Sequence, residues 1–270
     1  MPYDEGTIHG SAGAEQIVAS GSFDIGDREM DGKNTQMVFK RYEMKYLLDR
    51  QQKKKILQAM EPYMELDQYG RSTIRNVYYD TDNYRLIRKS LEKPVYKEKL
   101  RVRSYGLAMP DDKVFVELKK KYDSVVYKRR FSVAEKQAVE YLAGTAPLPI
   151  KTQITEEMDY FLQFYRTLAP KVFLSYEREA YYTREPSGFR VTFDENILWR
   201  ETDLSLEKGV YGASLLEPDQ TLMEIKTPGN IPLWMVRILS EEKIKRTTFS
   251  KYGSAYQKII TTRRGEAVYA

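Results

Sequence analysis

Short runs of alternating apolar and polar residues recur along this chain from about residue 38 onward. Because side chains alternate between the two faces of a strand, this period of two predicts half-buried β-strands. The predicted strands cover residues 38–48, 72–80, 95–105, 113–122, 124–133, 172–183, 189–198 and 220–227, of which 72–80 is assigned from its β-branched and aromatic residues. A spacing of three and four predicts helices over 50–60, 81–90, 134–143, 156–168, 233–240 and 251–262. The pattern therefore indicates an α+β fold in which antiparallel strands dominate.

The first 36 residues differ in composition from the rest of the chain. They contain seven acidic and two basic side chains, together with several glycines and serines. This composition predicts a disordered acidic tail over residues 1–36, or a tail that competes weakly for a basic site elsewhere in the chain. Since no linker composition divides the remainder, we predict one folded domain over residues 37–270.

The composition excludes several kinds of chemistry. The 270 residues include no cysteine, and the one histidine, His9, lies in the predicted tail, so thiolate and histidine-based catalysis are not expected. A run of about 18 apolar residues and a secretory signal are both missing, which predicts a cytoplasmic protein. There is also no glycine-rich motif for binding a nucleotide. Chemistry must therefore depend on Lys, Arg, Asp, Glu and Tyr.

The predicted strands share one unusual property, which is that one face of each is charged and mostly cationic. In the third of them, Lys99, Arg101 and Arg103 alternate with the apolar residues Leu100 and Val102. The other strands contribute, at alternate positions, Arg41, Glu43, Lys45, Glu117, Lys119, Lys128, Arg130, Arg178, Arg190, Asp194, Glu224 and Lys226. A solvated outer face explains this pattern for any one strand. It explains the whole set less well, because like charges on neighbouring strands repel unless an anion lies between them.

The arginine-rich faces indicate a phosphate ligand, since guanidinium groups donate two parallel hydrogen bonds to phosphate oxygens. The carboxylates among the cations indicate Mn²⁺ or Mg²⁺, because these ions prefer oxygen ligands and bind one or two carboxylates plus substrate phosphates. If the sheet closes into a barrel, the cationic face lines a tunnel for a highly charged anion. Phosphoryl transfer uses this combination of charge neutralisation and positioning.

An ordered series of short motifs also resembles a known family. The motifs are FKRYEMKY at 39–46, VYYDT at 77–81, KLRVRSY at 99–105, FVELK at 115–119, YKRRF at 127–131, YER at 176–178, RVTFD at 190–194, MEIK at 223–226 and FSKY at 249–252. In this order they resemble the VTC domain, the polyphosphate polymerase domain of the CYTH or triphosphate tunnel metalloenzyme superfamily. Each motif alone is weak, but the set spans nearly the whole predicted domain.

The resemblance implies an eight-stranded antiparallel β-barrel, the triphosphate tunnel fold, with helices packed outside. It also implies ATP-dependent synthesis of polyphosphate inside the tunnel, with Mn²⁺ or Mg²⁺ as the cofactor. The residues that would act on the transferred phosphoryl group are Arg101, Arg103, Lys119, Lys128 and Arg130. Those that would bind the other phosphates are Lys45, Lys99, Arg178, Arg190, Lys226 and Lys251. The metal ligands would be Glu224, Glu43 and Glu117, with Asp194 as a further candidate.

One departure from the superfamily pattern bears on the reaction. Many of its triphosphatases begin with Glu-x-Glu-x-Lys, whereas this chain has Arg41 at the first position, followed by Glu43 and Lys45. The lost carboxylate favours a transferase with an anionic acceptor over a hydrolase. Glu43 is then either a metal ligand or a residue that pairs with Lys45 or Arg101 and keeps the site in shape.

Two alternative functions stay open, a triphosphatase of the same fold and a non-catalytic polyphosphate-binding module. A nucleic-acid interface is not expected, because ordinary sheet packing is the simpler explanation of the strand tyrosines. The expected ligands are ATP or triphosphate and polyphosphate. A membrane-protein partner would be needed to translocate the product, and it would place the chain at the inner face of a membrane. The sequence predicts no oligomeric state.

Overall fold

The computed structural model describes residues 42–123, 125–185 and 187–269, with side chains as far as residue 263. The predicted acidic tail over 1–36 and Arg41 lie outside the described residues, so the expectations attached to them stay predictions. None of the described helices combines the length and the apolar composition that crossing a membrane requires.

Strands and helices alternate along the described chain. The strands are β1 (Tyr42–Leu48), β2 (Met64–Leu66), β3 (Ser72–Asp80), β4 (Tyr96–Tyr105), β5 (Lys113–Tyr122), β6 (Val125–Ala134), β7 (Ala169–Thr183), β8 (Arg190–Arg200), β9 (Ala213–Ser214), β10 (Thr221–Thr227) and β11 (Arg246–Thr247). The helices are α1 (Arg50–Met60), α2 (Arg85–Leu91), α3 (Glu135–Leu142), α4 (Gln153–Tyr165), α5 (Leu233–Glu241) and α6 (Lys251–Tyr269). Each strand and helix that the sequence predicts is therefore present.

The start of α1 illustrates how the local sequence fixes an element. The side chain of Asp49 accepts a hydrogen bond from the backbone N–H of Gln52 at 2.8 Å, and the Gln52 side chain accepts one from the Asp49 N–H at 3.1 Å. This reciprocal capping box satisfies two backbone donors that a helix start leaves unpaired. The helix buries Ile56 and Met60, which fixes the side that packs on the sheet.

A single antiparallel sheet forms the body of the protein. Its strands are ordered β11-β1-β10-β8-β7-β3-β4-β5-β6, and two short strands join it at the side, β2 on β7 and β9 on β8. The predicted closed, eight-stranded barrel is therefore wrong in two respects. The sheet has eleven strands, and within the described residues it is not closed, since no pairing joins β6 to β11 or β1.

Both differences have a physical reason. The strands β2, β9 and β11 are two or three residues long, too short for a period of two to be visible in the sequence. Side chains, rather than backbone pairing, make contacts across the interior. Lys45 on β1 and Lys99 on β4 donate hydrogen bonds to consecutive residues before α6, the carbonyl of Phe249 and the hydroxyl of Ser250, each at 3.0 Å.

These two contacts also show that the sheet is strongly curved. β1 and β4 are five steps apart in the strand order, a separation of roughly 24 Å in a flat sheet. Lys45 and Lys99 nevertheless reach neighbouring residues of one segment. The sheet therefore bends into an open barrel, and we call its inner surface the concave face.

Apolar side chains cover the opposite, convex surface, and helices pack against them. Leu100, Val102, Val116 and Leu118 are at most 3% exposed and form one core cluster with α3 and α4. Another cluster joins Ile225 and its neighbours to α1 and α5. Burial of each such side chain contributes about 1.5–3 kcal/mol. These positions therefore fix the face that turns outward, and the charged residues at alternate positions point into the barrel.

The start of α6 is anchored against the sheet. The ring of Tyr252 stacks on Tyr78 of β3, with 4.5 Å between ring centroids. The Tyr252 hydroxyl donates to the buried carboxylate of Asp80 at 3.0 Å. These contacts hold Lys251, the residue before Tyr252, at the concave face.

Candidate active site on the concave face

The register of the sheet arranges the charged residues in rows across the concave face. In one row Arg101 on β4, Glu117 on β5 and Arg130 on β6 lie opposite one another. The residues of the next row, on the same three strands, are Lys99, Lys119 and Lys128. Since one row contains a single carboxylate and the next contains none, this part of the concave face favours an anion.

Glu117 is the centre of a group that we call the arginine cluster, which consists of Arg101, Arg103, Glu117, Lys128 and Arg130. Arg101 donates to Glu117 Oε2 through Nε at 2.7 Å, and its second nitrogen lies 2.6 Å from the same oxygen. Lys128 lies 2.9 Å and Arg130 3.6 Å from Glu117 Oε1. Burial alone would raise the pKa of Glu117, but the surrounding cations hold it well below its ordinary value. Arg103 Nε lies 3.8 Å from Glu117 Oε2, so four cations share this one ionised carboxylate.

Three neutral side chains that the sequence analysis did not single out position the two arginines of β4. Arg103 is buried, and it donates to Asn76 Oδ1 at 3.0 Å and to the Tyr176 hydroxyl at 3.1 Å. Arg101 donates to the Tyr78 hydroxyl at 3.0 Å. Asn76 and Tyr78 lie opposite these arginines in the β3–β4 register. The missing signals were the pairing of β3 with β4 and the position of Tyr176 on β7, because alternation within single strands reveals neither.

Across the barrel, six further residues form what we call the carboxylate cluster, which consists of Glu43, Lys45, Arg178, Asp194, Glu224 and Lys251. Lys45 Nζ lies 3.3 Å from Glu43 Oε1 and 3.2 Å from Glu224 Oε1, so two carboxylates converge on one ammonium group. Burial opposes the ionisation of Glu43, but Lys119 and Lys45 lower its pKa to about 2. Lys119 is on β5 and Glu43 on β1, so charges interact across the barrel.

The buried end of the carboxylate cluster is held by paired charges. Arg178 donates to the two oxygens of Asp194 at 2.6 and 2.7 Å, and Lys251 also donates to Asp194. Lys251 Nζ lies 3.4 Å from Glu224 Oε1. Burial opposes the charge on Glu224, but Lys251, Lys45 and Arg178 hold its pKa well below the ordinary value. Three carboxylates and three cations leave this cluster close to neutral.

Arg190 and Lys226 complete the set of residues named from the sequence. They lie opposite each other in the β8–β10 register, and Glu43 faces Lys226 from β1. Burial lowers the pKa of Lys226 to about 8, although Glu43 and Glu224 oppose the shift. The structure thus brings the predicted residues to one face as two groups, the arginine cluster with its lysine row and the carboxylate cluster with Arg190 and Lys226.

The charge on Lys99 depends on pH near neutrality. Burial and the positive charges of Lys119, Lys45 and Lys97 lower its pKa from 10.5 to about 7. Between these two pKa values the unfolded chain binds a proton that the folded chain lacks, so this residue makes folding more favourable as the pH rises. A bound polyanion would raise the pKa of Lys99 again, because it favours the charged form of the lysine.

Binding of inorganic tripolyphosphate should therefore take up a proton at Lys99, and the affinity should fall as the pH rises above about 7. Isothermal titration calorimetry at about pH 8, in buffers of different ionisation enthalpy, measures this uptake. The matched control is Lys99→Met, which keeps the aliphatic chain and removes the titrating group. Equal proton uptake by both proteins would contradict this role of Lys99.

Glu43 and Glu224 provide the type of oxygen donors that a divalent cation prefers. Both carboxylates are ionised, and each has an oxygen within 3.3 Å of Lys45 Nζ. Thr192 lies opposite Glu224 in the register, and its buried hydroxyl has no hydrogen-bond partner among the described residues. Mn²⁺ and Mg²⁺ bind one or two carboxylates and complete their shell with water and substrate phosphates. These residues have the donor types that suit a metal ion held jointly with the substrate, while Lys45 already occupies the point on which the two carboxylates converge.

Other observations limit this metal site. Within the described ranges, no group of three or more His, Cys, Asp or Glu side chains is placed to hold an ion. Glu117 Oε1 is buried without a hydrogen-bond partner among the described residues, but Lys128 Nζ lies 2.9 Å from it and Arg101 binds Oε2, so the role of Glu117 as a metal ligand stays a prediction. A metal ion at Glu43 and Glu224 would depend on substrate phosphates for several of its ligands.

The arrangement as a whole can hold a chain of phosphates. The arginine cluster and the lysine row supply excess positive charge, while the carboxylate cluster supplies ionised oxygens on the opposite wall. The only histidine of the chain is outside the described residues, so the described site offers no imidazole as a general base. What the described arrangement offers a chain of phosphates is neutralisation of their charge and fixed positions for them.

Of three comparisons of the chain with known proteins, two give matches. No curated protein sequence matches it. Among solved structures, a candidate adenylate cyclase from Bacillus halodurans is 15% identical, with a TM-score of 0.48 over 77% of this chain and 92% of that one. A candidate adenylyl cyclase from Hippeastrum, reported to have a dominant triphosphatase activity, is 15% identical, with a TM-score of 0.45 over 78% and 92% of the two chains.

The third comparison identifies the family. The profile of the VTC domain matches residues 40–260. This range contains all the described strands, the first half of α6 and every residue of the two clusters. The chain is therefore a member of the VTC domain family.

Proposed function

We propose that this protein is a metal-dependent polyphosphate polymerase that transfers the γ-phosphoryl group of ATP to a growing polyphosphate chain. The observation that carries the proposal is a net-cationic arginine cluster that faces two ionised carboxylates, Glu43 and Glu224, across one barrel. Membership of the VTC domain family supports the same activity. A cytoplasmic location, a single domain over 37–270 and a membrane-protein partner are parts of the proposal that rest on the sequence alone.

In this reaction the bond between the γ-phosphorus and the β–γ bridging oxygen breaks, and a terminal oxygen of the chain forms the new bond. ADP leaves, and the chain gains one phosphate. The acceptor oxygen is already anionic at neutral pH, so no side chain has to remove a proton from it. The main obstacle is repulsion between two anions, which fixed cations reduce.

The residues of the concave face have separate tasks. Arg101 and Arg103 present guanidinium forks that hold the transferred group and the phosphates beside it in line. Lys119 and Lys128 lie in the next row and neutralise the neighbouring phosphates. Glu43 and Glu224 would hold Mn²⁺ or Mg²⁺, which as a Lewis acid polarises phosphoryl oxygens. Lys45 and Lys251 keep Glu224 ionised.

A triphosphatase and a non-catalytic polyphosphate-binding module are the competing functions. A triphosphatase has to activate water, and arginine in place of a glutamate at position 41 leaves one carboxylate fewer for that task. A pure polyanion binder gains nothing from Glu224, since a buried carboxylate repels phosphate. Both features favour the transferase.

The experiment is incubation of the purified full-length protein with ATP and Mn²⁺. Products are separated on a gel stained for polyphosphate, and ADP and free phosphate are assayed in parallel. We expect long polyphosphate chains, and we expect one ADP to be released for each phosphate that the chains gain. A parallel reaction in excess EDTA should give neither product, because the proposed reaction depends on a metal ion.

Two other results of this experiment would each support one of the competing functions. Free phosphate without chains would make the protein a triphosphatase and contradict the reading of Arg41. If no turnover occurs but tripolyphosphate raises the melting temperature, the protein is a polyanion-binding module and the proposed function is wrong.

A further inference from the structure

At one end of the concave face, the charged pattern gives way to aromatic rings. Lys99, near one end of β4, contacts the segment before α6, whereas Tyr105 is the last residue of β4, six positions further on the same side. Phe115 lies opposite Arg103 in the β4–β5 register. The rings of Tyr105 and Phe115 are 5.7 Å apart at an angle of 78°. An aromatic pair therefore follows directly after the arginines of β4.

Arg130 links this aromatic pair to the arginine cluster. Its guanidinium carbon lies 3.6 Å from the centroid of the Phe115 ring, a stacking distance. Its Nη2 donates to the Tyr105 hydroxyl at 3.5 Å, and its Nε is 3.6 Å from Glu117 Oε1. The aromatic pair is thus continuous with the proposed phosphate site.

Tyr105 is accessible to a ligand. Its residue is 46% exposed, and the chain beyond it presents Leu107 and Met109, which are 51% and 55% exposed. Exposed aromatic rings and guanidinium planes are the surfaces on which nucleobases stack. This end of the concave face therefore has both kinds of stacking surface beside an opening to solvent.

The spacing along β4 matches the parts of a nucleotide. Tyr105 and Arg103 are separated by about 7 Å along the strand, and Arg101 lies about 7 Å further. The first interval is about the length of a ribose, so a base on Tyr105 places the first phosphate near Arg103. The following phosphates then reach Arg101 and the lysine row.

The opposite end of β4 and β5 offers no such surface. In the described register, the rows beyond Arg101 pair Lys99 with Lys119 and Lys97 with Lys121. Only lysines occupy these facing positions, and they attract phosphate without a plane for stacking. The concave face therefore favours one orientation, with the base at Tyr105 and the phosphates toward the lysines.

We propose that Tyr105, with Phe115 and Arg130 beside it, forms a platform on which the nucleobase of the phosphoryl donor stacks. The proposal rests on the proposed function, because it assigns the orientation of the ATP donor in the same site. Recognition by stacking tolerates different bases, since every base has a flat face.

The test measures binding of ATP and of inorganic tripolyphosphate to the full-length chain by calorimetry. Tyr105→Leu should weaken ATP binding by roughly five- to 100-fold, the range that stacking on one aromatic ring supports. It should leave tripolyphosphate binding unchanged. Tyr105→Phe, which keeps the ring, should bind ATP like the unchanged protein. The control Tyr122→Leu removes a tyrosine that is 56% exposed at the other end of β5, and it should affect neither ligand.

A second measurement needs no variant. The unchanged protein should bind ATP more tightly than ribose 5-triphosphate, which has the sugar and the phosphates but no base. Equal affinities for these two ligands overturn the platform and leave the proposed function standing. If Tyr105→Leu loses affinity for ATP and for tripolyphosphate equally, the platform is also overturned, because Tyr105 then contributes to binding of the phosphates. If neither ATP nor tripolyphosphate binds to the unchanged protein, the proposed function fails together with the platform.

Discussion

Arg101→Ala should lower kcat/KM for polyphosphate synthesis by roughly 100- to 1,000-fold, the effect of removing one preorganised donor to a developing charge. The Arg101 fork is fixed by Glu117 and Tyr78 before substrate arrives, so in the proposed reaction it would stabilise the transition state without a cost for ordering the side chain. Arg101→Lys should recover little of the rate, because an ammonium group keeps the charge but loses the fork. Initial rates of ADP release, with polyphosphate followed on gels, measure the effect.

The fold should survive Arg101→Ala, so that the lost rate reports on the reaction. Glu117 keeps Lys128 at 2.9 Å and Arg130 at 3.6 Å after the change. The matched control is Arg71→Ala, since Arg71 also donates to a carboxylate, that of Glu177, at 2.7 Å, and belongs to neither cluster. A full rate in Arg101→Ala, with the same melting temperature as the control, would remove the arginine cluster from the proposed mechanism.

Glu224→Gln should abolish the dependence of the rate on Mn²⁺ together with most of the rate itself. Removing a residue that only orients a metal-binding side chain typically lowers metal affinity by roughly 10- to 100-fold. Removing the metal-binding side chain itself should lower the affinity by at least roughly the same factor. The change keeps the shape of the side chain and removes the charge that converges with Glu43 on Lys45. Rates at increasing Mn²⁺, and Mn²⁺ binding in the presence of ADP followed by electron paramagnetic resonance, give the two readouts.

Glu195→Gln is the matched control for Glu224→Gln. Glu195 is also an ionised glutamate, whose pKa burial would raise but Lys53, Thr221 and Arg71 lower to about 2. It belongs to neither cluster, so it should keep both the rate and the response to Mn²⁺. If Glu224→Gln still turns over and still responds to Mn²⁺ like this control, Glu224 is not a metal ligand.

The fold was predictable where the period of two was long enough to be visible. β5 begins and ends at the predicted residues, because Val114, Val116 and Leu118 alternate with the side chains of its other face. β3 also matches its predicted bounds, because β-branched and aromatic residues indicate a strand there without a clear alternation. β9 and β11 were missed, since two residues contain no period. The closed barrel was predicted wrongly. Closing it requires β6 to pair with the opposite edge of the sheet, at β1 and β11, and alternation within a strand does not show which strand is its neighbour.

The candidate site was predictable to the same extent. Alternation placed Arg101 and Arg103 on one face of β4, and the structure confirms that face. It did not reveal Asn76 and Tyr176, whose hydrogen bonds to Arg103 depend on neighbours from β3 and β7. Alternation also left all the carboxylates equivalent, whereas the register encloses Glu117 in cations and leaves Glu43 and Glu224 to converge on one ammonium group.

The open seam has a mechanical consequence. The width of a closed barrel is fixed by the number and stagger of its strands, whereas here contacts such as those of Lys45 and Lys99 with the segment before α6 help to set it. A hydrogen bond from a charged ammonium group contributes about 1.5–3 kcal/mol, so we expect the width of this barrel to change more readily than that of a closed one. A polyanion that neutralises both walls at once should then hold them together, and we expect it to stiffen the sheet as far as β6, whose outer edge pairs with no other strand that the structure describes.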